Sequence, residues 1–228
     1  MKRGMLITIE GTDCSGKQTQ SELLVQALEA QGIPVKRASY PWYDSPTGRI
    51  VGGPYLGKSY ICEGWFPEGA TEVDPKVAAM YFAADRLYHS PQIEEWLNAG
   101  ITVILDRYVE SNMAHQGGKL RLKTERRKLY KMLEQLEYRL CKLRRPDMTF
   151  FLYMPFDAAQ KLRELRPESS DQHEASETHL RRAEQVYLEL AEMFGYIKIN
   201  CARKNEAKPI KEIHELIIRE FEARFYSS

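Results

Sequence analysis

The chain has 228 residues, of which 43% are hydrophobic and 29% charged, with 33 Lys and Arg against 32 Asp and Glu. That composition excludes collagenous, low-complexity and disordered classes, and roughly 150 residues per domain makes one large domain with an inserted loop or lid a better fit than two full ones. A formal charge of +1 leaves no global field that would advertise a nucleic-acid or membrane partner.

Residues 5–10, Met-Leu-Ile-Thr-Ile-Glu, form a short apolar run rich in β-branched residues and read as a buried strand. Turn residues 11–16 follow. Leu23, Leu24, Ala27 and Leu28 then recur at helical spacing over residues 17–31, and Gly32 stops the helix. Residues 34–39, 101–105, 148–154 and 197–199 are further strand candidates. Helical stretches are expected over about 76–99, 122–143, 156–165, 177–194 and 209–225. Strands alternating with helices predict an α/β fold, a parallel sheet covered on both faces.

Two segments break the alternation. Residues 41–75 combine Gly and Pro with Trp42, Tyr43, Tyr55, Tyr60, Trp65 and Phe66. A loop of that length in a compact domain is functional or disordered, and the aromatics argue against disorder. A polar stretch over 166–174 is either a mobile lid or a connector. The run of Lys and Arg over 119–145 carries only two tyrosines and reads as a solvated helix face rather than a nucleic-acid surface. No apolar run approaches the ~18 residues that cross a bilayer. Cys14, Cys62, Cys141 and Cys201 are too scattered for a zinc pair or a disulfide framework. A reduced, cytoplasmic protein is expected.

The sharpest signal is Gly11-Thr12-Asp13-Cys14-Ser15-Gly16-Lys17, which follows a predicted strand and opens a predicted helix. Glycines at those positions let successive backbone N–H groups turn around an anion at a helix N-terminus, and the lysine reaches the outer phosphates. Residues 11–19 are therefore expected to bind ATP. The next position favours Ser or Thr as a Mg²⁺ ligand. Here it is Gln18, with Thr19 one step later, so Gln18 and Asp106 are the expected Mg²⁺ ligands. Asp106 ends the buried strand over 101–105, where a carboxylate beside phosphates can hold the metal through water or accept a proton.

Asp106-Arg-Tyr-Val-Glu-Ser-Asn-Met-Ala-His-Gln116 resembles the corresponding segment of thymidylate kinases. Glu10-Gly-Thr-Asp-Cys-Ser-Gly-Lys-Gln-Thr-Gln20, Tyr40-Pro41, Phe82-Ala-Ala-Asp-Arg86, Arg145-Pro-Asp-Met-Thr-Phe150 and Asp171-Gln-His-Glu174 resemble other family segments in the same order. The likeness runs from about residue 4 to 225. It implies a P-loop NTPase-type three-layer α/β/α kinase domain with a five-stranded parallel sheet, an acceptor-site loop over about 41–75 and a helical lid over about 160–177. It also implies a symmetric homodimer, with ATP and a nucleoside monophosphate as partners.

Roles follow from the resemblance. Phe82 would stack on the base. Arg86 would donate to a thymine carbonyl, with Asn112 and Gln116 near the base edge and Ser111 close by. Arg107 would clamp the acceptor phosphate, and Asp13 would lie near the sugar 3′-hydroxyl. Lys17, Asp106, Arg107, Arg163 and Arg166 form the expected catalytic set. Because Cys14 stands where some members carry a loop arginine, the lid arginines Arg163 and Arg166 would cover the transferring phosphoryl group.

Five positions depart from the family pattern: Gln18, Tyr43 in place of a second clamping arginine, His115 in place of the tyrosine that disfavours a 2′-hydroxyl, Tyr153 and Gln172. Arg49 would substitute for the arginine missing at Tyr43. The expected activity is transfer of the ATP γ-phosphoryl group to dTMP. The alternatives are another pyrimidine monophosphate as acceptor, or nucleotide binding with little catalysis.

Overall fold

A computed structural model describes residues 3–164, 173 and 176–225. Five parallel strands form one sheet in the order β2-β3-β1-β4-β5: β1 (Leu6–Gly11), β2 (Val35–Ser39), β3 (Thr102–Asp106), β4 (Met148–Tyr153) and β5 (Ile197–Asn200). The three central strands are buried on both faces, which is why they read as continuous apolar runs instead of alternating ones. Period-two alternation still sorts their side chains. Leu6, Val103, Leu105 and Phe151 enter one core, and Ile7, Ile9, Ile104, Phe150 and Leu152 enter the other.

The first core is closed by α3 (Pro75–Asn98), α4 (Val109–Gly117), α5 (Lys123–Leu133) and α7 (Glu177–Phe194), through Leu97, Met113, Leu133 and Leu190. The second is closed by α1 (Lys17–Ala30), α6 (Phe156–Glu164) and α8 (Ile210–Phe225), through Leu24, Leu28, Ala159, Ile217 and Phe221. Local signals set the helix ends. Asp74 accepts hydrogen bonds from the Lys76 and Val77 amides with Pro75 in the first turn, and Ser176 caps α7. The three-layer α/β/α architecture expected from the sequence is present.

Four parts of the chain differ from the sequence reading. Residues 41–75 are not an open loop. They hold α2 (Pro46–Ile50), a wide π-helical turn (Val51–Tyr55) and a small core of their own, in which Val51, Tyr55, Leu56, Ala70 and Val73 pack on Ala78 of α3. The helix expected over 122–143 stops at Leu133 and continues as a second π-helical stretch (Glu134–Leu140), which carries Glu137 into the core. The helix α4 and the hairpin of β6 (Ala202–Arg203) and β7 (Glu206–Ala207) had no legible signal. Nearly every residue of α4 is buried, so it shows no polar face.

Candidate active site

The phosphate loop connects β1 to α1. Two backbone positions require small or tolerant residues. A Cβ on Gly11 would lie 2.5 Å from Ser15 Oγ and 2.6 Å from the Leu152 carbonyl oxygen, and Gly16 has φ +81°. Cys14 also adopts positive φ, at 53°. Thr12 pins the loop to the end of β4: its hydroxyl donates to the Met154 carbonyl at 2.7 Å and accepts from the Met154 amide at 2.8 Å. Lys17 folds back inside the loop, donating to the carbonyls of Gly11 at 3.1 Å and Thr12 at 2.8 Å. Burial, reinforced by Arg107, lowers its ammonium pKa to about 8 against the pull of Asp106, Asp13 and Glu10.

Arg163, on α6, reaches across to this loop. Its Nε donates to Asp13 Oδ2 at 2.9 Å, while its Nη2 is buried with no hydrogen-bond partner among the described residues. Burial raises the Asp13 carboxyl, but Lys17 and Arg163 outweigh it and hold the group below the usual carboxylate range. An orphaned guanidinium donor beside a phosphate cradle is the feature expected of a residue that awaits a phosphoryl oxygen.

From the loop a cavity of about 360 Å³ opens between the sheet and residues 41–75. Lys17, Gln18 and Thr19 line one part, and Asp106, Arg107, Ser111, Phe82, Arg86, Asn112 and His115 line the rest. Arg107 sits at φ +68° at the end of β3, an unusual conformation for a non-glycine. Its Nη1 donates to Ser111 Oγ at 3.4 Å. Underneath lies Glu10, fully buried, which accepts from the Tyr108 amide at 2.6 Å, from Ser111 Oγ at 2.6 Å and from Tyr187 Oη at 3.3 Å. Burial raises its pKa, opposed by Ser111, Arg107 and Lys17.

Farther along, Arg86 is held rigidly. Glu137 accepts from its Nε at 2.8 Å and from Nη2, so the pair is bidentate, and Asn112 Nδ2 donates to the same carboxylate at 3.0 Å. Both members of the ion pair are almost wholly enclosed. Burial opposes the Arg86 charge, but Glu137 overrides it and pushes the pKa above the ordinary arginine value. Phe82 meets Tyr55 edge-on at 5.6 Å between centroids.

The profile of the thymidylate kinase family matches residues 9–217 of this chain. The chain belongs to the thymidylate kinase family. It is 32% identical to a probable thymidylate kinase of Methanocaldococcus jannaschii, over 96% of either chain, and 30% identical to the thymidylate kinase of Plasmodium falciparum, over 96% of this chain and 90% of that one. A solved thymidylate kinase structure from Candida albicans superposes with a TM-score of 0.70 at 26% identity, covering 97% of this chain and 92% of that one. Members of the family are ATP-dependent kinases, so the phosphate loop and the cavity beside it are the parts of a phosphotransferase.

Two expected acceptor residues, Arg49 and Gln116, lie outside the cavity lining, while the expected metal ligands Gln18 and Asp106 line it and carry protein partners. Arg49 is exposed on α2 and does not line the cavity. Lys58, unnoticed in the sequence, lines it instead and lies 5.2 Å from the centre of the Tyr43 ring. Gln116 is fully buried outside the cavity lining, and neither end of its amide has a partner among the described residues. Gln18 donates to Glu22 one turn along α1 at 3.1 Å. Asp106 accepts from Arg37 of β2 at 3.1 Å, and Arg37 also donates to Ser21 at 2.6 Å. Arg166 and Gln172 lie outside the described residues.

The reading of 119–145 as a solvated basic face fails at its first residue. Lys119 turns inward and donates to the carbonyls of Ala70 at 2.7 Å and Val73 at 2.8 Å, clasping the 41–75 segment. Burial lowers its pKa to about 8. Glu10, Arg37, Lys58, Lys119 and Glu137 are thus the site residues that sequence reasoning missed. Only Glu10 carried a signal, a carboxylate ending a buried strand, which needs partners.

Proposed function

We propose that this chain transfers the γ-phosphoryl group of ATP to dTMP, giving dTDP and ADP. One observation carries the reading. A single cavity joins an ATP-type phosphate loop to a pocket holding an aromatic ring, Phe82, and a rigid cation, Arg86. Phe82 would hold the base by its face, and Arg86, aimed by Glu137, would donate to a ring carbonyl. Arg107 and Lys58 would hold the acceptor phosphate, with Tyr43 against them. Lys17 and Arg163 would stabilise charge on the transferring group, whose transition state offers the protein little covalent work. An acceptor phosphate oxygen bonds to Pγ as the bond to the β–γ bridging oxygen breaks, and ADP leaves.

Mg²⁺ fits this arrangement through Asp106, a hard oxygen donor lining the cavity, together with the nucleotide phosphates. The metal would screen the phosphate charge. Gln18, whose Nε2 donates to Glu22, would offer only a neutral amide oxygen, a weaker donor than a carboxylate. We treat residues 1–228 as one kinase domain, with 41–75 shaping the acceptor side and 160–177 acting as lid. A homodimer is supported by an exposed apolar stripe on α3: Val77 and Leu87 are 44% exposed, and Met80 and Tyr88 58%. A reducing compartment such as the cytoplasm suits four cysteines of which none forms a disulfide.

The test is ADP release with Mg²⁺ and ATP across dTMP, dUMP, UMP, dCMP, dGMP and AMP. Turnover strongest with dTMP is the expected result. Turnover strongest with another monophosphate re-assigns the acceptor, and no stimulation by any of them leaves a nucleotide-binding protein.

A further inference from the structure

Three histidines from distant parts of the chain converge at the wall of the acceptor cavity. His115 comes from α4, His179 from the first turn of α7, and His173 from the stretch between α6 and α7. One ring nitrogen of each lies within 4.8 Å of the other two, and His115 Nδ1 is 3.2 Å from His179 Nε2. The rings lie close together: His115 and His173 centroids are 5.5 Å apart at 14°, and the tilted His173 and His179 rings 4.5 Å apart at 35°. His173 and His179 are buried, and His115 and His173 line the cavity.

We propose that His115, His173 and His179 form a binding site for a borderline transition-metal cation of the Zn²⁺ class, distinct from the magnesium of the nucleotide. Zn–N bonds of about 2.0–2.1 Å in a tetrahedral array put neighbouring nitrogens about 3.3 Å apart, close to the spacing of the His115–His179 pair. Three imidazole donors select Zn²⁺, Co²⁺ or Cu²⁺ over Mg²⁺, which takes oxygen. Three protein ligands leave a fourth position, as in open zinc sites, and here an oxygen from the cavity would fill it. Tyr55 supplies the outer shell: its hydroxyl lies 3.0 Å from His173 Nε2, and Lys119 donates to that hydroxyl at 3.1 Å. Such partners orient ligating imidazoles.

The experiment needs neither nucleotide nor turnover. Metal-free full-length protein is titrated with Co²⁺, read by visible absorption, and with Zn²⁺, read by calorimetry and by melting temperature. One equivalent of Co²⁺ giving tetrahedral nitrogen-type bands without thiolate charge transfer, with Zn²⁺ displacing it and raising the melting temperature, is expected. His179→Gln should weaken Zn²⁺ affinity at least tenfold. Spectra on the unmodified protein do not depend on that variant folding. Absence of tetrahedral bands, thiolate bands from the cysteines instead, or equal Zn²⁺ affinity in a folded His179→Gln variant would each overturn the site.

Discussion

The two ends of the cavity are built in opposite ways. The phosphate end comes from seven contiguous residues whose backbone would surround the phosphates, clamped to the sheet by Thr12. The acceptor end is assembled from side chains far apart in the chain, since Arg86 and Glu137 are separated by 51 positions and Asn112 and Glu137 by 25. A backbone cradle depends on a few glycines and one lysine. A side-chain site depends on a buried ion pair whose members cannot be removed singly without leaving an uncompensated charge.

The sharpest way to break this contrast is at Glu137. Glu137→Gln should destabilise the fold by about 3–5 kcal/mol, the usual effect of stranding one partner of a buried pair, read as a fall in the urea midpoint. A smaller loss would mean that Arg86 finds solvent or another acceptor.

At the phosphate end the largest side-chain effect outside the loop should come from Arg163. Arg163→Met should lower kcat by about a hundredfold, the scale of one preorganised donor to a developing charge, with a much smaller change in KM for ATP. Equal changes in both would make Arg163 a ground-state contact.

The lysine of the loop predicts a pH effect. Burial lowers the Lys17 pKa to about 8 in the free protein, and phosphate favours its charged form, so nucleotide binding takes up a proton above that value. ATP affinity should therefore fall as pH rises through about 8, approaching tenfold per unit. Calorimetry in buffers of different ionisation enthalpy measures the proton directly, and no uptake at pH 9 would refute the lowered value.

The smallest effect sharpens the acceptor side. Lys58→Ala should raise KM for the monophosphate by about tenfold, the scale of one charge-assisted contact, while Arg49→Ala should leave it unchanged. The reverse outcome would restore Arg49 as the second clamp.

Much of this was legible in advance where the signal was local. The five strands, the phosphate loop and the cap-bounded α3 and α7 follow from periodicity and turn chemistry, which operate over a few residues. The 41–75 segment was recognisable as unusual but not as a small core around Tyr55, because its partner surface lies on α3. Arg49 looked the substitute on sequence distance alone, yet helix α2 carries it to the exterior, and Lys58, beyond the π-helical turn, lines the cavity.

By itself the amino-acid sequence determined the parallel sheet, the location of the phosphate cradle and the family, since each depends on contiguous residues or their order. Tertiary structure decided which charges meet. Glu137 from a π-helical turn, Arg37 from an edge strand, Lys119 from a basic run and the three histidines from separate elements reach their partners only once the layers pack. Burial then sets their charge, for a side chain withdrawn from water needs a partner or must become neutral, and a linear pattern does not record which partner the fold supplies.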